Sequence, residues 1–157
     1  MNADARLAAH YRSLVLAHGA APAGAQMSAA GQQFRFDKLL EVCALDGLSV
    51  LDLGCGPGAL YPVLRARWPG AIYTGVDVVP EMVAAAREAH PGVPFRIGDL
   101  RARPLAETFD VVVASALFNN QRADSHAFLR QMLAAAWAHC RRALAFNFIS
   151  NRVTRRD

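Results

Sequence analysis

An acid, a short apolar run and three alternating glycines come together at Val50-Leu51-Asp52-Leu53-Gly54-Cys55-Gly56-Pro57-Gly58. The apolar residues read as a strand, and glycine at every second position lets the following loop turn through positive φ and lie bare against a ligand. Open α/β sheets bind ligands beyond the carboxyl ends of their strands, which is where Asp52 would sit. A negative charge there repels a pyrophosphate and favours a cation. The pattern therefore points to a positively charged, adenosine-bearing cofactor.

Two further acids follow. Ala71 to Val76 reads as a second apolar strand ending in Asp77, about 20 residues after the glycines, where an acid can hydrogen-bond ribose hydroxyls. Pro94 to Gly98 reads as a third strand closed by Asp99-Leu100, which places a carboxylate beside the expected adenine site, with the exocyclic amine as its partner. A rival reading stays open, because Gly54, Gly56 and Ala59 also satisfy the G-x-G-x-x-[GA] fingerprint of an NAD-binding oxidoreductase. Asp52, Gly58 and Asp99 together favour the cationic cofactor, although Asp52 alone could be a loop cap and Asp99 alone a turn acid.

The chain resembles the class I S-adenosylmethionine-dependent methyltransferases. The resemblance rests on Asp52 to Gly58, Gly75-Val76-Asp77, Gly98-Asp99-Leu100 and Phe109-Asp110-Val111-Val112-Val113-Ala114, and covers about residues 48 to 150. It implies S-adenosyl-L-methionine as cofactor and S-adenosyl-L-homocysteine as product. Gly54, Cys55, Gly56 and Gly58 would surround the methionine and ribose portions. Asp77, with Val78, would hold the ribose, and Asp99, with Leu100, the adenine. Ala114 and Ser115 would border the methionine end, and Tyr11 and Arg35, on helices before the first strand, would reach its carboxylate. Methyl transfer from a sulfonium is an in-line displacement, so positioning and exclusion of water can supply much of the rate, and a catalytic side chain is optional. The candidates for a general base are His10, His18 and His126. Asn119 and Asn120 are candidates for orienting an acceptor, and Phe34, Phe36, Phe118 and Phe128 for walling its pocket.

Composition narrows the acceptor. A length of 157 residues and 54% hydrophobic content suit one domain with a sizeable core. The net charge of +4 comes from 17 basic residues, of which only Lys38 is lysine. They are scattered along the chain except for Arg152, Arg155 and Arg156, a distribution of solvated faces rather than a nucleic-acid surface. An enzyme of base amines would be expected to carry Asn/Asp-Pro-Pro-aromatic after the fourth strand, where this sequence has Ser115-Ala116-Leu117-Phe118-Asn119-Asn120. No Pro-Cys pair offers a nucleophile for cytosine carbon. Cys43, Cys55 and Cys140 give neither a disulfide framework nor a zinc signature, so no metal is expected. No apolar run is long enough for a membrane span. The expectation is a cytoplasmic enzyme that methylates a small molecule, at oxygen or nitrogen rather than carbon. The alternative from another class is a non-catalytic S-adenosylmethionine-binding partner subunit.

These residues need a scaffold of alternating strands and helices. Strands are expected at 48–53, 71–76, 94–98, 109–114 and 143–149, and helices near 59–67, 80–89 and 124–140. Two helices precede them, Ala3 to His18 and about Gln32 to Cys43, with an alanine- and glycine-rich connection over 19–31. The predicted fold is α/β: a Rossmann-like, doubly wound, mostly parallel sheet of about five strands. Residues 1–47 form a helical lid segment and 48–157 the cofactor-binding core. The β-hairpin that the resemblance places after the fifth strand has no counterpart in the sequence. The fifth strand would then be an exposed apolar edge, so the expectation is a truncated chain, a homodimer mate or partner chain that covers the edge, or a remnant fold.

Overall fold

The structure, a computed structural model, describes residues 3–19, 28–119 and 124–148. Five strands, β1 (Ser49–Leu53), β2 (Ile72–Asp77), β3 (Phe95–Ile97), β4 (Phe109–Ala114) and β5 (Cys140–Phe146), form one sheet in the order β3-β2-β1-β4-β5. Every pairing among them is parallel. The helices are α1 (Ala3–His18), α2 (Ala29–Leu39), α3 (Leu60–Arg67), α4 (Pro80–Ala89) and α5 (Ser125–Ala138). This is the Rossmann-like architecture that the alternation of patterns predicts.

A sheet covered on both faces needs strands that are apolar at every position, and Val50, Leu51 and Val111 to Val113 are all fully buried. Side chains alternate between two cores. Val50, Tyr73, Val111 and Val113 face Phe36, Leu60, Leu64 and Val83 of α2 to α4. Leu51, Leu53, Val76 and Val112 face Phe128, Met132 and Ala136 of α5. The alternation puts Asp52 and Asp77 on the same face as Tyr73. At the opposite end of the sheet, the Ser49 N–H and hydroxyl donate to Asp110 (2.9 and 2.8 Å) and tie the starts of β1 and β4 together.

The bounds of α2 and β5 differ from expectation. Helix α2 begins at Ala29 rather than near 32, because the Ser28 hydroxyl caps it by accepting from the Gly31 N–H (3.2 Å). It stops at Leu39 rather than 43, as Leu40 and Leu45 turn into the core. Strand β5 starts at Cys140 rather than 143. The Phe109 N–H donates to the His139 carbonyl (2.8 Å), so pairing begins at once, and a bulge takes up the extra residue between Phe109 and Val111.

Helix α1 lies along α4, with Tyr11 and Val15 against Val79 and Met82, and an Arg12–Glu81 ion pair at 2.8 Å. Pro80 opens α4 with Glu81 in its first turn, as the sequence suggests. Strand β5 is one edge of the sheet and β3 the other among the described strands, with Trp137 and Phe148 exposed near β5. Most of the 19–31 connection, Asn120, and the basic residues Arg152, Arg155 and Arg156 lie outside the described residues. Among the described residues, no helix is long and apolar enough to cross a membrane.

Candidate functional site

The strand order reverses between β1 and β4, and their connections leave to opposite faces. The crevice this opens is where doubly wound sheets bind ligands. A cavity lies there, lined by residues from the β1, β2, β3 and β4 ends and from α1, α2, α4 and α5. Asp52, Asp77 and Asp99, each from the end of a different strand region, all line it.

The three glycines do different things. Gly54, Gly56 and Gly58 all have positive φ (74°, 53° and 81°), where glycine carries no Cβ penalty. At Gly56 an added Cβ would meet nothing within 4 Å, so the missing side chain leaves room on the cavity side. At Gly58 it would come within 2.8 Å of the Phe95 ring and 3.0 Å of His90. Gly58 therefore does not line the cavity, contrary to its expected place around the ligand: it lets α3 close onto β3. Gly58→Ala is expected to destabilise the fold by roughly 2–4 kcal/mol through overpacking and strain, against about 1 kcal/mol for Gly56→Ala. Denaturant unfolding of the two variants measures the difference.

The loop's backbone donors are already engaged. Gly54 and Cys55 donate to the Val76 carbonyl (2.8 and 3.1 Å), Gly58 to the Cys55 carbonyl (3.1 Å), and Gly56 to Asp77 Oδ2 (2.8 Å). Pro57 has no N–H. The loop thus offers shape and acceptors rather than the free N–H groups a phosphate needs. Cys55 lines the cavity, as expected, while its Sγ points to within 3.0 Å of where a Gly75 Cβ would stand, and burial pushes its thiol pKa well up.

Asp77 braces the site: besides Gly56, it accepts from the Val79 N–H at Oδ1 (2.9 Å). Burial raises its pKa and these backbone donors oppose the rise. Asp52 is only 2% exposed and accepts the Tyr73 hydroxyl at 2.7 Å. Burial pushes its pKa up to about 7, against the pull of the Tyr73 hydrogen bond and with a further push from Asp77. Asp99 does not present an unengaged carboxylate. Oδ1 accepts from the Arg101 N–H (2.9 Å) and Nε (3.0 Å), and Oδ2 from Nη2 (2.7 Å). These bonds lower its pKa, and the guanidinium lies 4.8 Å from the Phe128 ring centre, a cation–π contact.

The remaining candidates divide. Tyr11, Val78, Leu100 and Ser115 line the cavity with the acids, as do Phe36 and Phe128. Ala114 points into the core under α5, and Arg35 is half-buried without lining the cavity. His10 and His126 are exposed away from it, and the His18 side chain lies outside the described residues. Phe34 is 64% exposed, and Phe118 packs edge-on against Phe128 and Phe146. Asn119 stands beyond the cavity's edge with Oδ1 buried and without a partner, as are Ser115 Oγ and Asn147 Nδ2.

The sequence reading missed three residues of consequence. Tyr73 reads as strand core and Arg101 as surface charge. Asn147 follows β5, and its Oδ1 accepts from the Ala116 N–H (2.8 Å), pinning Ala116 at φ 60°, a strained value for a non-glycine. Only the polarity of Asn147 at the carboxyl edge could have signalled it.

The profile of the methyltransferase-domain family matches residues 50–144. A trans-aconitate 2-methyltransferase from Mycobacterium sp. (strain KMS) is 49% identical over 81 residues, which is 52% of this chain and 31% of that protein. One from Azoarcus sp. (strain BH72) is 43% identical over 81 residues, 52% of this chain and 32% of that protein. The S-adenosylmethionine-bound amino pentose methyltransferase CalS10 from Micromonospora echinaspora superposes with a TM-score of 0.52 at 32% identity, over 72% of this chain and 45% of that one. The sugar N-methyltransferase KedS8 from Streptoalloteichus shares the fold, with a TM-score of 0.62 at 23% identity over 82% of this chain and 51% of that one. The chain thus spans about a third of the length of the curated relatives it matches.

Proposed function

The chain belongs to the class I S-adenosylmethionine-dependent methyltransferase family, and on that premise we propose that it binds S-adenosylmethionine in this cavity and methylates a small molecule at oxygen or nitrogen. The observation that carries the proposal is three carboxyls at successive strand ends around a loop whose N–H groups are spent within the protein. Such a lining suits a cationic, diol-bearing nucleoside, to which the carboxyls offer charge and acceptors.

Bound there, the cofactor supplies a methyl group already activated on a sulfonium. Asp77 accepts from the ribose hydroxyls, Asp99 and the Leu100 backbone receive the adenine, and Asp52 faces the cationic methionine end, with Tyr11 and Ser115 beside it. Gly56 admits the ligand against the backbone. The described helices of residues 1–47 act as a cover over the core of 48–157, supported by Ala8, Tyr11, Gln32 and Phe36 in the cavity wall. Among the described residues no histidine lines the cavity, so these side chains work by holding the reactants and excluding water. The relatives' acceptors by name, trans-aconitate and an amino pentose, are small molecules and support that class.

Adenine has to compete with Arg101 for Asp99. The ion pair is partly exposed (18% and 28%), so its net worth is about 1 kcal/mol. Arg101→Ala is expected to tighten binding of S-adenosylhomocysteine about fivefold, as calorimetry would show. Weaker binding would mean that the guanidinium contacts the ligand instead. The activity is tested by incubating the chain with methyl-labelled S-adenosylmethionine and a panel of small hydroxy, amino and carboxylic acceptors. Transfer to one class supports the enzyme. Cofactor binding without transfer to any acceptor favours the non-catalytic binding module.

A further inference from the structure

We propose that Tyr73 is a positioning residue of this site, its hydroxyl fixing the Asp52 carboxyl in the orientation and charge state that receive the cationic end of the cofactor. The inference rests on the S-adenosylmethionine reading and adds to it a residue from which no ligand contact is expected.

The geometry comes from the β1–β2 register. Asp52 stands opposite Gly75, and Tyr73 lies two residues before Gly75 on the same face. The Tyr73 ring therefore runs diagonally across β1, and its hydroxyl reaches Asp52 Oδ2 at 2.7 Å. The ring has no freedom to swing away. Tyr61 packs on it at 5.3 Å and Phe95 meets it edge-on at 5.6 Å, while Phe95 itself sits so close over Gly75 that a Cβ there would be 2.6 Å from the ring. Tyr73 is 4% exposed, held within the core behind Asp52.

The surroundings leave Tyr73 as the group that decides the state of Asp52. From β2, Asp77 faces it with like charge, and from the glycine loop stands Cys55, an uncharged thiol whose pKa burial pushes well up. The β4 neighbours Val111 to Val113 are apolar, Tyr61 packs on the rings of Tyr73 and His90, and His90 stacks on Phe95. Tyr73 remains a donor throughout, since burial and Asp52 hold its own pKa well up. Among the described residues, its hydroxyl is the hydrogen-bond donor that opposes neutralisation of Asp52, and a neutral Asp52 has no charge to offer a cation.

Tyr73→Phe keeps the ring packing and removes only the hydroxyl. Two readouts on the full chain test the proposal: the ¹³C carboxyl titration of Asp52 without ligand, and S-adenosylmethionine affinity across pH. In the wild type both should turn near pH 7. In Tyr73→Phe both should move up together by about one pH unit, with affinity near neutrality falling about fivefold. Asp52→Asn should flatten the affinity profile. An unchanged carboxyl titration in folded Tyr73→Phe overturns the proposal, as does a shifted titration with a pH-independent affinity. A wild type that binds no S-adenosylmethionine at any pH contradicts the cofactor reading itself. The ligand-free titration separates that failure from one of Tyr73.

Discussion

Asp77→Ala is expected to weaken S-adenosylmethionine binding about 100-fold while the chain stays folded. Asp77 has two duties at one place. Its oxygens hold the Gly56 and Val79 N–H groups at 2.8 and 2.9 Å, which fixes the loop against the end of β2, and in the proposed complex they also accept from the ribose. A hydrogen bond to a charged group contributes roughly 1.5–3 kcal/mol, a factor on the order of 10–10², and the loosened loop puts the expected loss at the upper end of that range. Asp77→Asn should fall between wild type and alanine, because its amide keeps one acceptor for the loop and loses the charge. Calorimetry checks the series, with circular dichroism to establish folding. A loss below about threefold in a folded variant would contradict the assignment of Asp77.

The second large effect concerns stability, and it runs opposite to function. Burial raises the Asp52 pKa from 3.8 to about 7, so the folded chain holds this proton more tightly than the unfolded chain. Below about pH 4 both states are protonated and the group contributes nothing to the pH dependence. Between about pH 4 and 7 each unit of rising pH costs roughly 1.4 kcal/mol of stability. Above that window the loss levels off near 4 kcal/mol. Asparagine is neutral in both states and can still accept the Tyr73 hydroxyl. Asp52→Asn should therefore match the wild type at about pH 4 and exceed it by several kcal/mol at about pH 8, while binding the cationic cofactor less well. Urea unfolding at the two pH values measures this. Parallel stability profiles for variant and wild type would show that Asp52 does not carry the strain.

Most of the scaffold was legible because its signals are local. Apolar runs such as Val111 to Val113 fit only a doubly covered strand, and Pro80 with Glu81 marks a helix start. The same locality misplaced the start of β5, since its first pair, Phe109 with Cys140, depends on a bulge that appears only when β4 and β5 lie side by side. The acids at 52, 77 and 99 stood out in sequence because each follows an apolar run, and all three meet at one cavity.

What stayed hidden were relations across the sheet. Whether Gly58 faces a ligand or a neighbour depends on where Phe95 falls, and Phe95 comes from a strand 37 residues later. A tyrosine in a strand looks like packing until register puts its hydroxyl beside Asp52. Arg101 looks like one more solvated arginine, yet its side chain folds back onto Asp99 across two residues. The histidines at 10 and 126 carry suitable chemistry, but helix geometry turns both outward.

The central claim is that this cavity holds S-adenosylmethionine. Its most direct test is calorimetric titration of the 157-residue chain with S-adenosylmethionine and, separately, with NAD. The account predicts one-site binding of S-adenosylmethionine with a dissociation constant on the order of micromolar, and none of NAD. A folded chain that binds NAD, or that binds neither ligand, would contradict it.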